Sequence, residues 1–268
     1  MKKHIVITGS TDGIGKLAAQ QLAAAGHVVY VHGRSREKLN HTIAEIKAAT
    51  GNQEVGGFVA DLSDLSAVVK LAAEIEQSLP QLDVLINNAG VFNSPVEHTH
   101  GTDIRFVVNY FAPYLLSQHL QELLKKSPGA RLINLGSAAQ ATVQLEALKG
   151  HATIDTRAAY AQSKLALTMW SFALAKSLDN PAVITVNPGS LLNTRMVKEA
   201  FGHHWSPATK GADILFELAT AEAVPGHSGK YFDNDKGDWG PAHEDAYNES
   251  KTNALLEATE LFLKGLIN

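Results

Sequence analysis

Short β-branched runs alternate with longer helix-like stretches from one end of the chain to the other. The runs are HIVITG (4–9), HVVYVHG (27–33), EVGGFVADL (54–62), LDVLINNAG (82–90), ARLINLGS (130–137), AVITVNPG (182–189) and GKYF (229–232). Helix-like stretches fall near 14–25, 36–49, 63–79, 103–126, 158–179, 208–221 and 244–264. Such alternation implies βαβ units and a mostly parallel sheet. The near-continuous apolar character of the runs agrees, because strands covered on both faces do not alternate. The expected fold is therefore α/β, a doubly wound parallel sheet of about seven strands with helices on both faces. No Pro/Gly/Ser-rich linker divides residues 1–268, which predicts a single domain. Two connections, 138–156 and 190–207, are longer than usual and follow strand ends, where open α/β sheets bind ligands.

Composition narrows the partners. A net charge of -4 and a pI near 6.3 give no general basic field for nucleic acid or an anionic membrane. The chain has no cysteine, which excludes a disulfide framework, a zinc–thiolate site and a cysteine nucleophile. The opening MKKHIVITGS holds only a short apolar run, too short for a signal-peptide core or a membrane span. A soluble, cytoplasmic protein acting on a small molecule is the expectation.

The first run leads directly into TGSTDGIGKLAAQQLAAAG, Thr8 to Gly26. Gly9, Gly13 and Gly15, with Ser10, Thr11 and Ile14 between them, lie where a strand hands over to a helix. Unpaired amides and the helix dipole make an anion site there, and glycine lets the backbone approach a pyrophosphate. The spacing is G-x-x-x-G-x-G, so position carries the inference more than the pattern does. About 20 residues on, where an acidic side chain would accept the ribose hydroxyls of NAD, stand Gly33, Arg34 and Ser35. A guanidinium and a hydroxyl suit a 2′-phosphate, which predicts NADP(H). Asp12 argues mildly against this by adding negative charge. Asp61 and Leu62 follow the third run, where a carboxylate can accept from adenine and leucine can cover the ring; Asp61 also reads as a helix N-cap.

RAAYAQSKLAL (157–167) sets Tyr160 and Lys164 four residues apart, on one helix face. An ammonium near a phenol lowers its pKa, giving a proton donor for neutral pH. By itself the spacing is better described by an ordinary amphipathic helix carrying one aromatic and one solvated lysine.

With TGSTDGIG, NNAG (87–90), Asn109, Ser137, YAQSK (160–164) and NPG (187–189) in this order, the chain resembles the short-chain dehydrogenase/reductase family over nearly its whole length. Its glycine spacing is similar to the classical branch. The resemblance implies a Rossmann-type sheet. It also implies that Tyr160 is the general acid/base, Lys164 its electrostatic partner and ribose ligand, Ser137 the holder of the substrate oxygen, and Asn109 the anchor of a proton-relay water. Asn88, Ala89 and Gly90 would join the cofactor site. Pro188 and Gly189 would shape the nicotinamide wall, and Thr194 would reach the carboxamide or the pyrophosphate. Ser137 and Tyr160 stand 23 residues apart, wider than in most classical members, so 138–156 looks like an active-site insertion. That spacing resembles the retinol dehydrogenase-like and protochlorophyllide reductase-like subgroup. Residues 190–207 would form the substrate lid, with Phe201, His203, His204 and Trp205 in it.

His98 with His100, and His203 with His204, invite a metal reading, but no third ligand can be assigned and no metal is expected. The leucine-spaced stretch 254–266 is interrupted by Glu257, Glu260 and Lys264, which suits a covering helix or a homodimer interface better than a membrane. The expected function is an NADP(H)-dependent oxidoreductase interconverting a carbonyl and an alcohol on a small or medium apolar substrate. The alternatives are a non-catalytic NADP(H) sensor or scaffold, and an enone reductase.

Overall fold

Every apolar run becomes a strand in the computed structural model, which describes residues 1–267 apart from the side chains of Phe201 and Ile267. The first half reads β1 (His4–Ile7), α1 (Gly13–Ala24), β2 (Val28–Gly33), α2 (Arg36–Thr50), β3 (Val55–Val59), α3 (Leu65–Ser78) and β4 (Val84–Asn87). A small hairpin follows, β5 (His98–Thr99) with β6 (Thr102–Asp103), and then a helix in three parts. These parts are α4 (Ile104–Phe106), a π-helical turn Val107–Phe111, and α5 (Ala112–Lys125). The second half is β7 (Arg131–Leu135), α6 (Leu145–Leu148), α7 (Thr156–Ser177), β8 (Ala182–Asn187), α8 (Arg195–Phe201), α9 (Ala208–Thr220), β9 (Lys230–Asp233), β10 (Asp238–Gly240) and α10 (Glu249–Ile267).

The sheet order is β10-β9-β8-β7-β4-β1-β2-β3, parallel throughout except where β10 returns antiparallel to β9. The chain runs outward from β1 to β3, comes back to β4 on the other side of β1, and runs outward again. Val6 accordingly sits opposite both Tyr30 and Leu85. The reversal between β1 and β4 opens a crevice at their C-terminal ends. Both faces are dry: Ile5 and Ile7 pack towards α1 and α9, while Val6 joins the core built by α3, α5 and α7. Outside that second layer lies α10, with Phe262 stacked on Phe111 at 4.5 Å and Thr259 hydrogen-bonded to the buried Tyr110 hydroxyl at 2.7 Å.

Eight strands form where about seven were expected. The extra one is the three-residue β10, whose Trp239 stacks on His227 at 4.3 Å and meets the edge of Phe232. The helix expected near 103–126 carries a π turn, for which Pro113 supplies a cause: it has no N–H to give the carbonyl four residues back, that of Asn109. No helix among the described residues is long and apolar enough to cross a membrane.

The 138–156 stretch is not a free loop. It folds into α6, buries Leu148 completely and Ala147 nearly so, and docks on the β5–β6 hairpin, where the Thr102 hydroxyl donates to the Leu148 carbonyl at 2.8 Å. Gly150 backs onto the Gly101 carbonyl too closely for any side chain. The buried Gln162 of α7 accepts from the Gln144 amide at 2.8 Å. Truncation Leu148→Ala should therefore cost about 2–5 kcal/mol in urea denaturation, as for other fully buried leucines. A loss below about 0.5 kcal/mol, the surface value, would mean that this segment does not pack as described.

Candidate active site

The residues expected at the site line one cleft of about 500 Å³ at the C-terminal edge of the sheet, all but Ser10 and Asn109. The cleft floor is built from backbone. Gly9 is left-handed (φ +62°), and a Cβ there would lie 2.8 Å from the Ala89 Cα, so only glycine lets the two strand-ending loops touch. Asn88 ties them together, its Nδ2 donating to the carbonyls of Thr8 and Gly9 at 2.8 and 3.0 Å. The Thr8 hydroxyl accepts from the amides of Asn88 and Ala89. From the other side His32 Nδ1 accepts from the Gly9 amide at 3.1 Å. Burial pushes the His32 pKa down to about 4, so the ring stays a neutral acceptor. Ser10 does not face the cleft: its hydroxyl donates to the Ile7 carbonyl and accepts from the His32 amide, pinning β1 to β2.

At the start of α1 the Asp12 carboxylate caps the Gly13 amide alone, leaving the amides of Ile14 and Gly15 uncapped by it at the cleft. Asp12 is itself engaged by Lys38 Nζ at 3.2 Å, with Arg195 at 4.0 Å. The backbone and Lys38 hydrogen bonds outweigh desolvation and lower its pKa. Its charge is thus balanced by cations, which removes the objection that it would repel a phosphate. Arg34 and Ser35 lie at the exposed mouth of the same end, and Ser35 also caps α2 by accepting from the Lys38 amide. Gly33 has no room for an acidic side chain, since a Cβ would fall 2.6 Å from Thr11 Cγ2. Asp61 lines the cleft but does not cap α3; Asp64 does, while Asp61 Oδ1 accepts from the amide and hydroxyl of Ser63. Thr194 caps α8 and stands against Gly13, at the helix-terminus end of the cleft.

The reactive end is set by α7, whose N-terminus is fixed by Asp155 accepting from the amides of Arg157 and Ala158. Its first turns bring the Tyr160 phenol beside Ser137 in the cleft. Burial raises the Tyr160 pKa and the neighbouring Ser137 hydroxyl offsets this only in part. The lowered pKa expected from the Tyr–Lys spacing is therefore corrected. Lys164 Nζ donates instead to the Leu135 carbonyl at 2.7 Å and sits 5.7 Å from the centre of the tyrosine ring. Desolvation brings the Lys164 pKa down to about 8, leaving it mostly charged at neutral pH. Asn109 stands one layer behind: Oδ1 accepts from the Val91 amide, and Nδ2 donates to the Val91 carbonyl and to Ser163 Oγ. Ser163 in turn donates to the Tyr160 carbonyl at 2.7 Å. Both side-chain donors of Asn109 are thus occupied, and a water would fall to its backbone carbonyl, which Pro113 deprives of an α-helical donor.

Several residues at the site carried no signal in the sequence. Phe92 packs its ring on Tyr160 at 4.9 Å, and its carbonyl accepts from Nε of the fully buried Arg105, whose guanidinium also pairs with Asp103 and Glu97. Tyr231 and Gln140 both donate to the Ser137 carbonyl. Pro113, four residues after Asn109, is the exception, since a proline inside a helix is legible in the sequence. Leu192, Met196 and Val197 of the expected lid line the cleft, but Trp205 is 74% exposed and lies outside it, near His203. None of 138–156 lines the cleft. His98 and His100 lie in the β5–β6 hairpin, and His100 Nε2 accepts from the Leu65 amide.

The sequence model of the family described as short chain dehydrogenase matches residues 3–204. Retinol dehydrogenase 12 of Mus musculus is 35% identical over 250 residues, covering 88% of this chain and 79% of that protein. Retinol dehydrogenase 13 of Homo sapiens is 32% identical over 262 residues, covering 86% and 76%. Among solved structures, a short chain dehydrogenase from Escherichia coli CFT073 complexed with NADPH aligns with a TM-score of 0.71 at 27% identity, covering 87% of this chain and 96% of that one. The family resemblance carried by the ordered motifs holds, and so does the likeness to the retinol dehydrogenase-like subgroup. This chain belongs to the short-chain dehydrogenase/reductase family and is an oxidoreductase.

Proposed function

We propose that this chain is an NADP(H)-dependent carbonyl reductase/alcohol dehydrogenase for a small or medium apolar substrate, with Tyr160 as its general acid/base. The observation that carries this reading is the Tyr160–Ser137 hydroxyl pair at the apolar end of a cleft whose other end offers helix amides and Arg34. Phe92, Ile104, Val108, Leu192, Met196 and Val197 surround the apolar end. The uncapped amides of α1, the balanced Asp12 and the absence of space at Gly33 favour a dinucleotide bearing a 2′-phosphate. The NADPH complex of the Escherichia coli relative supports the same choice, and the retinol dehydrogenases are named for an apolar alcohol.

When bound, the nicotinamide supplies or receives the hydride at the substrate carbon. The protein handles the oxygen. Ser137 Oγ holds the carbonyl oxygen by a hydrogen bond, and the Tyr160 phenol donates its proton as negative charge develops there. Burial keeps that phenol protonated at neutral pH, which suits donation. Lys164, charged below about pH 8 and with no carboxylate partner among the described residues, steadies the tyrosinate left behind until solvent reprotonates it. Asn109 braces Tyr160 through Ser163 and offers its carbonyl, rather than its side chain, to a relay water.

Tyr160→Phe should lower kcat/KM by about 10²–10⁴-fold, the usual worth of a general acid, while calorimetry finds NADPH binding nearly unchanged. Undiminished turnover would remove Tyr160 from the chemistry. For Arg34→Asp the ratio of kcat/KM with NADPH to that with NADH should drop by about tenfold or more; an unmoved ratio would show that Arg34 does not read the phosphate. The reductive kcat/KM should be level through neutral pH and fall as pH passes about 8, where Lys164 loses its charge. A profile still level near the ordinary lysine value of about 10.4 would contradict the role given to Lys164.

A further inference from the structure

The strap after β8 is held by a turn that belongs to a different part of the chain. Asn187, Pro188 and Gly189 line the cleft with Tyr160, and Gly189 has φ +118°, a conformation that other residues rarely adopt. Nothing in the strap itself fixes it beyond the Gly189 amide donating to Asn187 Oδ1. Its other bonds run to the β9–β10 turn. Asp235 Oδ1 accepts from the Ser190 amide at 2.8 Å, and Oδ2 accepts from the Ser190 hydroxyl at 2.5 Å and from Asn187 Nδ2 at 2.9 Å. Asp233 Oδ1 also accepts from Asn187 Nδ2, at 3.0 Å. Asn234 Nδ2 closes the arrangement by donating to the carbonyls of Pro188 and Lys210 at 2.9 and 3.0 Å. This turn lies beyond residue 204, where the family match ends.

We propose that Asp235 is a positioning residue whose carboxylate sets the Pro188–Ser190 strap and so holds the nicotinamide of NADP(H) in place for hydride transfer. The inference rests on the cofactor reading given above. Asp235 does not line the cleft, so it acts through the strap. One carboxylate accepts three hydrogen bonds, two from Ser190 and one from Asn187 at the end of β8, and an amide in its place keeps the acceptor for the Ser190 amide but turns a donor towards Asn187. The glycine loop and Arg34 would carry most of the cofactor's binding contacts, and the Asp235 carboxylate hydrogen-bonds to neither. Loss of Asp235 should therefore disturb the ring more than the affinity. Small misplacement of a reacting group lowers rate steeply.

The test compares Asp235→Ala, Asp235→Asn and, as a control in the same turn, Lys236→Ala, whose side chain is 70% exposed. NADPH affinity is measured by calorimetry, and the fluorescence of the bound reduced nicotinamide is read at saturation, where it depends on how firmly the ring is held. For Asp235→Ala we expect an NADPH Kd within about threefold of the unaltered protein, at least half of the fluorescence enhancement lost, and kcat down by about tenfold or more with substrate KM little changed. Asp235→Asn should fall between, and Lys236→Ala should match the unaltered protein. Asp235→Ala and Asp235→Asn complexes as bright and as active as the unaltered one would overturn the proposal. So would the same losses in Lys236→Ala, which would mark a general loosening of the hairpin. Should the unaltered protein bind NADPH with enhanced fluorescence yet reduce no carbonyl, the functional reading fails while the fluorescence comparison still decides the role of Asp235. No NADPH binding at all would overturn both.

Discussion

The site depends on two strand-ending loops that touch along their backbones. The Gly9 turn after β1 and the Asn88–Gly90 turn after β4 meet at a distance that admits no Cβ on Gly9. Gly15 is constrained in the same way, since a Cβ there would strike Asn88 Nδ2. Because the sheet order reverses between β1 and β4, this contact closes the bottom of the crevice while leaving its mouth open. Thr8, Asn88 and His32 then turn contact into fixed geometry through hydrogen bonds to loop amides and carbonyls. The start of α1, the Ser137 loop after β7 and Asn187 at the end of β8 lie around that floor.

At the reactive end, burial rather than pairing governs the titrating groups. Tyr160 and Lys164 share a helix face, yet the ammonium is held by the Leu135 carbonyl, and desolvation drives the two pKa values apart, the phenol up and the ammonium down. Each neutral form is thereby favoured. For the phenol this preserves the proton it has to give, whereas for the lysine it limits the pH range over which its charge is available. The backbone around them is equally specified: Asn109 reaches Ser163, Ser163 reaches the Tyr160 carbonyl, and Phe92 covers the tyrosine ring. The Asn87–Asn134–Ser171 chain crosses the buried sheet beneath, Asn87 Nδ2 donating to Asn134 Oδ1 and Asn134 Nδ2 to Ser171 Oγ.

What the sequence revealed was what depends on local pattern. Apolar runs located β1 to β4 and β7 to β9, because strands covered on both faces are nearly continuous in hydrophobicity. The glycine turn and the Tyr–Lys spacing were legible because steric room and helical period are properties of neighbouring residues. Contacts between distant segments were not. The strand β10 is three residues long, and its stability comes from Trp239 meeting His227 and Phe232. The stretch around α6 looked like a binding loop from its length alone, but Leu148 and Thr102 make it part of the frame. Asp61 read as the cap of α3, but the helix starts later and Asp64 takes that place. Even the direction of the Tyr160 shift was set by burial, which spacing does not report.

The account stands on the cleft being a cradle for a phosphorylated nicotinamide dinucleotide. The most direct measurement is a calorimetric titration of the protein with NADPH and with NADH at one salt concentration. One site per chain and affinity for NADPH at least about tenfold tighter, a difference of about 1.4 kcal/mol, is the result this account predicts. Equal affinities, or tighter NADH, would contradict the reading of Arg34, Ser35 and the balanced Asp12. Binding of neither would contradict the cradle itself.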